Sequence, residues 1–184
     1  MSELYGYFQS SKYFADISGE IRNLFRPSDE IMAVVKAKYG PLLKNPNICV
    51  VHIRRTDYMN TLNASKHVVC HETYYLRALE KMDTLKPGVE YLVFSDDLEW
   101  CKKQDTWWKD RTVTFVDETT DYIALSLMSQ FNAFIISNST FSWWATWLRE
   151  GDKTVIAPDR WFGPAGPKNW EDIYEPGWIR ISTV

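Results

Sequence analysis

Short apolar runs rich in β-branched residues recur along the chain, and segments with helical periodicity separate them. Because these runs are almost continuously apolar, we expect strands that are buried on both faces of a sheet. The predicted strands cover residues 47–53, 91–94, 112–116, 133–136 and 154–157. The alternation of strand and helix predicts a Rossmann-like α/β fold, with a mainly parallel sheet and helices on both of its faces.

The helical segments have recognisable starts and ends. Ser28 is a candidate N-cap for a first helix, and Gly40 and Pro41 are expected to end that helix at Tyr39. Four later helices are predicted at 72–83, 97–104, 122–131 and 139–149. The 184 residues suit a single domain, which we divide into a helical lead-in (1–45), a Rossmann-like core (46–160) and a C-terminal wrap (161–184).

Composition and charge narrow the classes of ligand. A net charge of −3 argues against general binding to nucleic acid or anionic lipid, because both need a basic face. The three cysteines lack CxxC spacing, which favours reduced thiols over a disulfide framework. The chain shows no signal-peptide pattern and no apolar run of about 18 residues, so we expect a soluble, cytoplasmic protein without a membrane span.

Charged residues follow the first predicted strand, at the edge where open parallel sheets bind ligands. His52, Arg54, Arg55 and Asp57 lie within seven residues there. The rigid fork of arginine suits phosphate oxygens, and a nearby carboxylate can orient it. The alternative interpretation is a solvated loop with an ordinary arginine–aspartate ion pair.

Two further polar clusters follow later strands. After the second strand, Ser95 or Asp97 is a candidate helix cap, which leaves a carboxylate such as Asp96 to bind a guanine edge or a ribose. After the fourth strand, the hydroxyl-rich stretch 137–142 begins a helix, and such a helix start favours anions. A capped helix whose tryptophans only pack in the core is the alternative. Because all three clusters fall at one edge of the predicted sheet, we expect a shared ligand site.

A possible metal motif is weaker. His67, Cys70 and His71 form an HxxCH cluster, but a tetrahedral zinc site needs a fourth ligand, and no matching Cys or His pair occurs elsewhere. We therefore expect no metal site.

These motifs resemble those of the α1,2-fucosyltransferases, which share HxRRxD with α1,6- and some O-fucosyltransferases. The similar stretches cover nearly the whole chain: YGYFQS at 5–10, KYF at 12–14, HIRRTDY at 52–58, FSDDLEWCK at 94–102, NSTFSWW at 138–144, VIAP at 155–158 and WF at 161–162. The resemblance implies the donor-binding half of a GT-B enzyme that transfers L-fucose from GDP-fucose to a galactose 2-hydroxyl, with inversion and no obligatory metal or other cofactor.

The resemblance also implies roles for individual residues. Arg54 and Arg55 would stabilise the departing diphosphate, and Asp57 would either act as the base or orient the arginines. His52 and Asp96 would contact guanine or ribose, and the hydroxyls that begin the later helix would lie near the phosphates. The full predicted donor-binding set is His52, Arg54, Ser95, Asp96, Asp97, Asn138, Ser139, Thr140, Phe141 and Ser142, with Arg54, Arg55 and Asp57 as catalytic candidates.

The sequence lacks the Gly-rich GxGNQ-type opening and the acceptor-side half that the family normally has. We therefore expect a partner chain or self-association to replace them, and a non-catalytic GDP-sugar-binding module or an interaction protein is the alternative. The candidate contact residues are the N-terminal aromatics Tyr5, Tyr7, Phe8, Tyr13 and Phe14. The same segment could instead fold back as a helix onto the sheet.

Overall fold

The computed structural model describes residues 9–59 and 65–184. In these residues a six-stranded, fully parallel sheet has the order β3-β2-β1-β4-β5-β6. The strands are β1 Ile48–Ile53, β2 Glu90–Ser95, β3 Val113–Phe115, β4 Ala133–Ile135, β5 Thr154–Pro158 and β6 Ile179–Ile181. Strand order reverses between β1 and β4, and a ligand crevice is expected at this switch point. The predicted Rossmann-like fold class is confirmed.

Helices cover the sheet. They are α1 Ser18–Leu24, α2 Asp29–Leu43, α3 Glu72–Leu85, α4 Leu98–Lys102, α5 Asp105–Trp108, α6 Asp121–Met128 and α7 Thr140–Leu148. Short 3₁₀ helices occur at Ser11–Ile17, Asp57–Met59 and Glu171–Ile173. The described residues contain no helix that combines the length and apolarity needed to cross a membrane.

Three local expectations differ from the structure. Helix α2 begins after its Ser28 cap as predicted but continues through Gly40 and Pro41 to Leu43, because the extra turn packs Leu42 and Leu43 against the core. The helix predicted at 97–104 is shorter and is followed by the separate helix α5, which buries Trp107 and Trp108. Strand β6 was not predicted, and it extends the sheet beyond β5.

The core lies on both faces of the sheet. All six residues of β1 are buried: Ile48 and Val50 belong to the cluster under α6 and α7, whereas Cys49, Val51 and Ile53 belong to the cluster under α3. For β1 this confirms the expectation of a strand covered on both sides, whereas the edge strand β3 is only partly buried, with Thr114 exposed. The three cysteine thiols are buried and unpaired.

The N-terminal lead-in packs against α7. The ring of Phe14 stacks on Trp144 with centroids 5.5 Å apart and meets Trp147 edge-on at 4.9 Å. Tyr13, the neighbouring residue, is 70% exposed. The candidates Tyr5, Tyr7 and Phe8 lie outside the described residues. The Phe14 contacts favour a segment that folds back onto the domain.

Candidate functional site

The crevice at the switch point is closed at its base by a histidine and a serine. His52 belongs to β1 and Ser137 follows β4, and His52 Nδ1 lies 3.1 Å from Ser137 Oγ. Both side chains are buried. Burial lowers the pKa of His52 to about 4, against an ordinary value of 6.5, with a smaller opposing effect from Asp96. The imidazole is therefore neutral at pH 7, with one ring nitrogen engaged by serine.

Asp96 organises the loop that follows β1. Its Oδ1 accepts the Arg55 N–H at 2.9 Å, and its Oδ2 accepts the Thr56 N–H at 3.0 Å and the Thr56 hydroxyl at 2.5 Å. The same Oδ2 lies 3.4 Å from Arg54 Nε. Because these contacts occupy both oxygens, the geometry favours a positioning role for Asp96 over direct contact with guanine or ribose.

The two arginines of the motif lie in different surroundings. Arg54 lines two adjoining cavities beside the switch point. The Arg55 guanidinium lies 3.9 Å above the Trp100 ring, and its Nε is 3.4 Å from Asp97 Oδ2. Both arginines nevertheless line a third cavity of about 330 Å³, together with Trp100, so their shared contact with the diphosphate stays a prediction.

The acidic pair after β2 has separate tasks. Asp97 caps α4, because its Oδ1 accepts the Trp100 N–H at 3.2 Å. Ser95 Oγ accepts the Asp97 N–H at 3.0 Å and so shapes the turn before the cap. The expectation that one of the two carboxylates is used for capping is confirmed.

Part of the cluster after β4 faces inward. Asn138 is buried and donates from Nδ2 to the carbonyls of Val68 at 2.9 Å and Trp161 at 2.8 Å. The Ser142 hydroxyl is fully buried and lies 3.2 Å from the Ser139 carbonyl. Asn138 and Ser142 thus hold the local fold. Asn138 also lines a cavity beside the start of α7, and the predicted contact of both residues with the donor stays a prediction.

The rest of that cluster lies at the start of α7, where Ser139 is buried and Thr140 and Phe141 are half-buried. Ser139 caps the helix by accepting the Phe141 N–H at 3.3 Å. Thr140 and Phe141 line a cavity together with Ser139. The first N–H groups of a helix have no partners within it and carry the positive end of its dipole, so this helix start can bind an anion.

A first cavity of about 510 Å³ opens beside β1, β2 and β3. His52, Arg54, Ser95, Asp96 and Phe141 line it as expected. Its remaining walls include an acidic loop that sequence reasoning missed: Asp117, Glu118, Thr119 and Asp121. The available signal was the polar stretch at 117–121, which directly follows the third predicted strand at the same edge of the sheet.

Contacts from helix α2 fix this acidic loop. Glu118 Oε2 lies 2.9 Å from Lys38 Nζ and accepts the Tyr39 hydroxyl at 3.1 Å. Its other oxygen accepts the Thr120 N–H at 3.0 Å. The Lys38 hydrogen bond, followed by the Thr120 and Tyr39 contacts, holds the pKa of Glu118 below its ordinary value despite burial of the side chain. The wall therefore carries negative charge at neutral pH.

A second cavity of about 330 Å³ lies on the other side of Arg54 and Phe141, which line both spaces. It includes the start of α7 and a largely aromatic wall. Sequence reasoning missed Gln9, Tyr58, His67, Trp161 and Phe162 as lining residues. Within the wall, Tyr58 and His67 stack with centroids 4.7 Å apart and planes 15° apart. No carboxylate of the described residues lines this cavity.

The side chain of Asp57, the candidate base, lies outside the described residues, so its predicted role stays a prediction.

The residues of the HxxCH cluster make ordinary packing contacts. His67 stacks on Tyr58, and the Cys70 thiol contacts Asn138 Oδ1 at 3.6 Å. Among the described residues, no three His, Cys, Asp or Glu side chains form a group that could hold a metal ion.

Comparisons with known proteins identify the family of this chain. The family model of glycosyl transferase family 11 matches residues 3–182. An α-1,2-colitosyltransferase of Escherichia coli is 32% identical, over 97% of this chain and 62% of that protein. Galactoside alpha-(1,2)-fucosyltransferase 1 of Homo sapiens is 30% identical, over 98% of this chain and 52% of that protein. The chain thus spans little more than half the length of these relatives.

A solved structure shows the same fold. POFUT1 in complex with GDP-fucose superimposes with a TM-score of 0.52 and 16% sequence identity, over 71% of this chain and 46% of that chain. The structural neighbour supports the parallel α/β architecture.

Proposed function

Since the chain belongs to glycosyltransferase family 11, we propose that it forms the donor-binding site of an α1,2-fucosyltransferase that uses GDP-fucose and a galactoside acceptor. One observation carries the proposal: two adjoining cavities meet at Arg54 and Phe141, one with an acidic wall and one without a carboxylate among the described residues. The names of the relatives, which include α1,2-fucosyltransferases, support the same donor and acceptor classes.

The difference in charge between the two cavities favours one orientation of a bound nucleotide sugar. Asp117, Glu118 and Asp121 give the first cavity an acidic wall, which repels phosphate and accepts hydrogen bonds. Guanine offers donors at N1 and its 2-amino group, and ribose offers hydroxyls, so this cavity suits the nucleoside. The second cavity, with the α7 start and no described carboxylate, suits the phosphate-linked sugar.

The diphosphate then lies at the junction, beside Arg54. When the bond between the sugar C1 and the β-phosphate oxygen breaks, negative charge develops on the departing GDP. The Arg54 guanidinium and the first N–H groups of α7 are placed to stabilise that charge more strongly in the transition state than in the ground state. Asp96 supports this step by holding Arg54 and the loop around it.

Inversion requires the acceptor hydroxyl to attack C1 from the face opposite the leaving GDP. A carboxylate that removes the hydroxyl proton has to lie within hydrogen-bond reach of that oxygen. We propose Asp57 of the HxRRxD motif for this role or for orienting the arginines, as the family resemblance implies. Acceptor contacts are proposed to come from the protein segments that the relatives have beyond the matched region, or from a partner chain.

Calorimetric titration with GDP and GDP-fucose tests the donor site. We expect Arg54→Ala to weaken GDP binding by about 1.5–3 kcal/mol, the range for hydrogen bonds to charged groups. Arg77→Ala is the matched control, because Arg77 contacts the C-terminal carbonyl of Val184 on the surface of the domain. Folded wild-type protein that binds neither nucleotide would contradict the proposal, as would equal affinities of the Arg54 and Arg77 variants.

A further inference from the structure

Gln9 presents an unused hydrogen-bond donor at the second cavity. Its side-chain nitrogen Nε2 is buried and has no hydrogen-bond partner among the described residues. The residue lines the cavity together with Arg54, Thr140 and the aromatic wall. A buried donor without an acceptor is unfavourable, so a bound molecule that supplies an oxygen would stabilise this arrangement.

The backbone around Gln9 is fixed by its neighbours. Ser10 is buried and caps the 3₁₀ helix Ser11–Ile17 by accepting the Lys12 N–H at 3.4 Å. Phe14 of the same helix packs against Trp144 and Trp147 of α7. The amide of Gln9 is therefore carried by a segment that is docked onto the helix whose N-terminus forms the cavity.

The position of Gln9 distinguishes the sugar from the phosphates. Arg54 lines both cavities and meets the ligand at their junction, whereas Gln9 lines only the second one. A ligand that places its nucleoside in the first cavity and its diphosphate at Arg54 extends its sugar toward Gln9. The half-buried aromatic ring of Phe162, which lines the same cavity, suits the apolar face and methyl group of a 6-deoxyhexose.

We propose that Gln9 donates a hydrogen bond from Nε2 to a ring hydroxyl of the donor sugar, and so selects among nucleotide-linked 6-deoxyhexoses. The inference rests on the proposed function, because it takes the second cavity as the sugar site. It assigns a specificity role to a residue outside the HxRRxD loop and outside α7. Sugars that lack the contacted hydroxyl would leave the Gln9 amide unsatisfied and bind more weakly.

The first test compares two ligands. Gln9→Ala and Gln9→Met are titrated with GDP and with GDP-fucose; methionine keeps the approximate side-chain volume and removes the donor. We expect affinity for GDP-fucose to fall roughly tenfold, as for loss of one hydrogen bond, while affinity for GDP changes less than about twofold. Gln130→Ala is the control, because the Gln130 amide donates to Ser126 and Ser129 at the far end of α6.

The second test identifies the hydroxyl. Monodeoxy analogues of GDP-fucose are titrated against wild type and Gln9→Met in a double-mutant cycle. The analogue that lacks the contacted hydroxyl should bind both proteins equally, whereas the others should still lose affinity in the variant.

Different failures are distinguishable. If wild type does not bind GDP, the proposed function fails. If GDP-fucose binds wild type and both Gln9 variants equally, the proposed function stands and the Gln9 inference fails. Equal weakening of GDP and GDP-fucose would overturn the sugar assignment in favour of a phosphate contact. Melting temperatures of the variants within about 2 °C of wild type establish that a loss of binding is not a loss of folding.

Discussion

His52 Nδ1 and Ser137 Oγ lie 3.1 Å apart across the boundary between β1 and β4, where the strand order of the sheet reverses. The contact joins two strands at the base of the cavity that we assign to the nucleoside. It also fixes the orientation of an imidazole that burial keeps neutral. The His52 ring is therefore rigid and uncharged, and it lines the cavity beside Arg54 without adding positive charge to that cavity.

The buried imidazole predicts a specific dependence of stability on pH. The pKa of His52 is about 4 in the folded protein and about 6.5 when exposed, so the unfolded state binds the extra proton first as pH falls. Above about pH 6.5, the neutral His52 makes its full contribution to the free energy of unfolding. As the pH falls toward 4, this contribution is lost progressively, by up to about 3 kcal/mol.

Urea denaturation at several pH values between 4 and 7 checks this prediction. We expect His52→Asn to flatten the curve relative to wild type, whereas the surface variant His71→Asn should follow wild type. A His52 variant with an unchanged pH dependence of the unfolding free energy would refute the assignment.

Removing the carboxylate of Asp96 is predicted to damage donor binding although the geometry gives it a positioning role. Asp96→Ala leaves the N–H groups of Arg55 and Thr56 without their Asp96 acceptor and removes the ion pair with Arg54. We expect a stability loss of about 1–3 kcal/mol and weaker GDP binding. Asp97→Ala, which removes a helix cap, should cost about 1 kcal/mol of stability and affect GDP binding less. Thermal denaturation and calorimetry on both variants provide the comparison.

The two motif arginines are predicted to respond differently to lysine. Arg54→Lys keeps the charge but loses the planar fork, so GDP affinity should fall about tenfold. Arg55→Lys loses the stacking on Trp100, which should lower stability by about 0.5–1 kcal/mol and leave GDP affinity within about threefold. Similar losses of GDP affinity in the two variants would show that both arginines contact the ligand.

The acidic loop after β3 is predicted to select guanine. We expect wild type to prefer GDP over inosine diphosphate, which lacks the 2-amino donor, by about 1–2 kcal/mol. Asp117→Asn and Asp121→Asn, measured separately, should show which carboxylate accepts that hydrogen bond, because the preference disappears in the relevant variant. Lys38→Met serves as a third variant. It removes the ion pair of Glu118 and should weaken the binding of GDP and of inosine diphosphate by similar amounts. A preference that survives in both Asp variants would place the base elsewhere.

Much of the fold follows from sequence because its determinants are local and repetitive. Most strands from β1 to β5 lie in largely apolar runs, and the burial of all six β1 residues is what such a run predicts. Strand β6 has Arg180 at its centre and follows no predicted helix, so the alternation of strand and helix does not reveal it; its pairing with β5 defines it. Helix α2 extends beyond its predicted end at Tyr39, because packing of Leu42 and Leu43 against the core outweighs the helix-breaking tendency of Pro41.

The candidate site was predictable as a region but not as a set of contacts. Strand ends located the polar clusters around Arg54, Asp96 and Thr140 correctly. Sequence could not show that Asn138 and Ser142 turn inward, because their acceptors lie on the carbonyls of Val68, Trp161 and Ser139. The aromatic wall of the second cavity and Gln9 escaped prediction for a related reason, since they come from segments far apart in the chain.

The inward orientation of Asn138 also bears on covalent modification. Asn138, Ser139 and Thr140 form an N-x-S/T sequence, the acceptor pattern for N-linked glycans. Both hydrogens of the Asn138 amide are donated to main-chain carbonyls, and the side chain is buried. An oligosaccharyltransferase could reach this nitrogen only in the unfolded chain, and a glycan attached there would prevent the loop before α7 from closing. The folded domain therefore excludes modification at its own sequon.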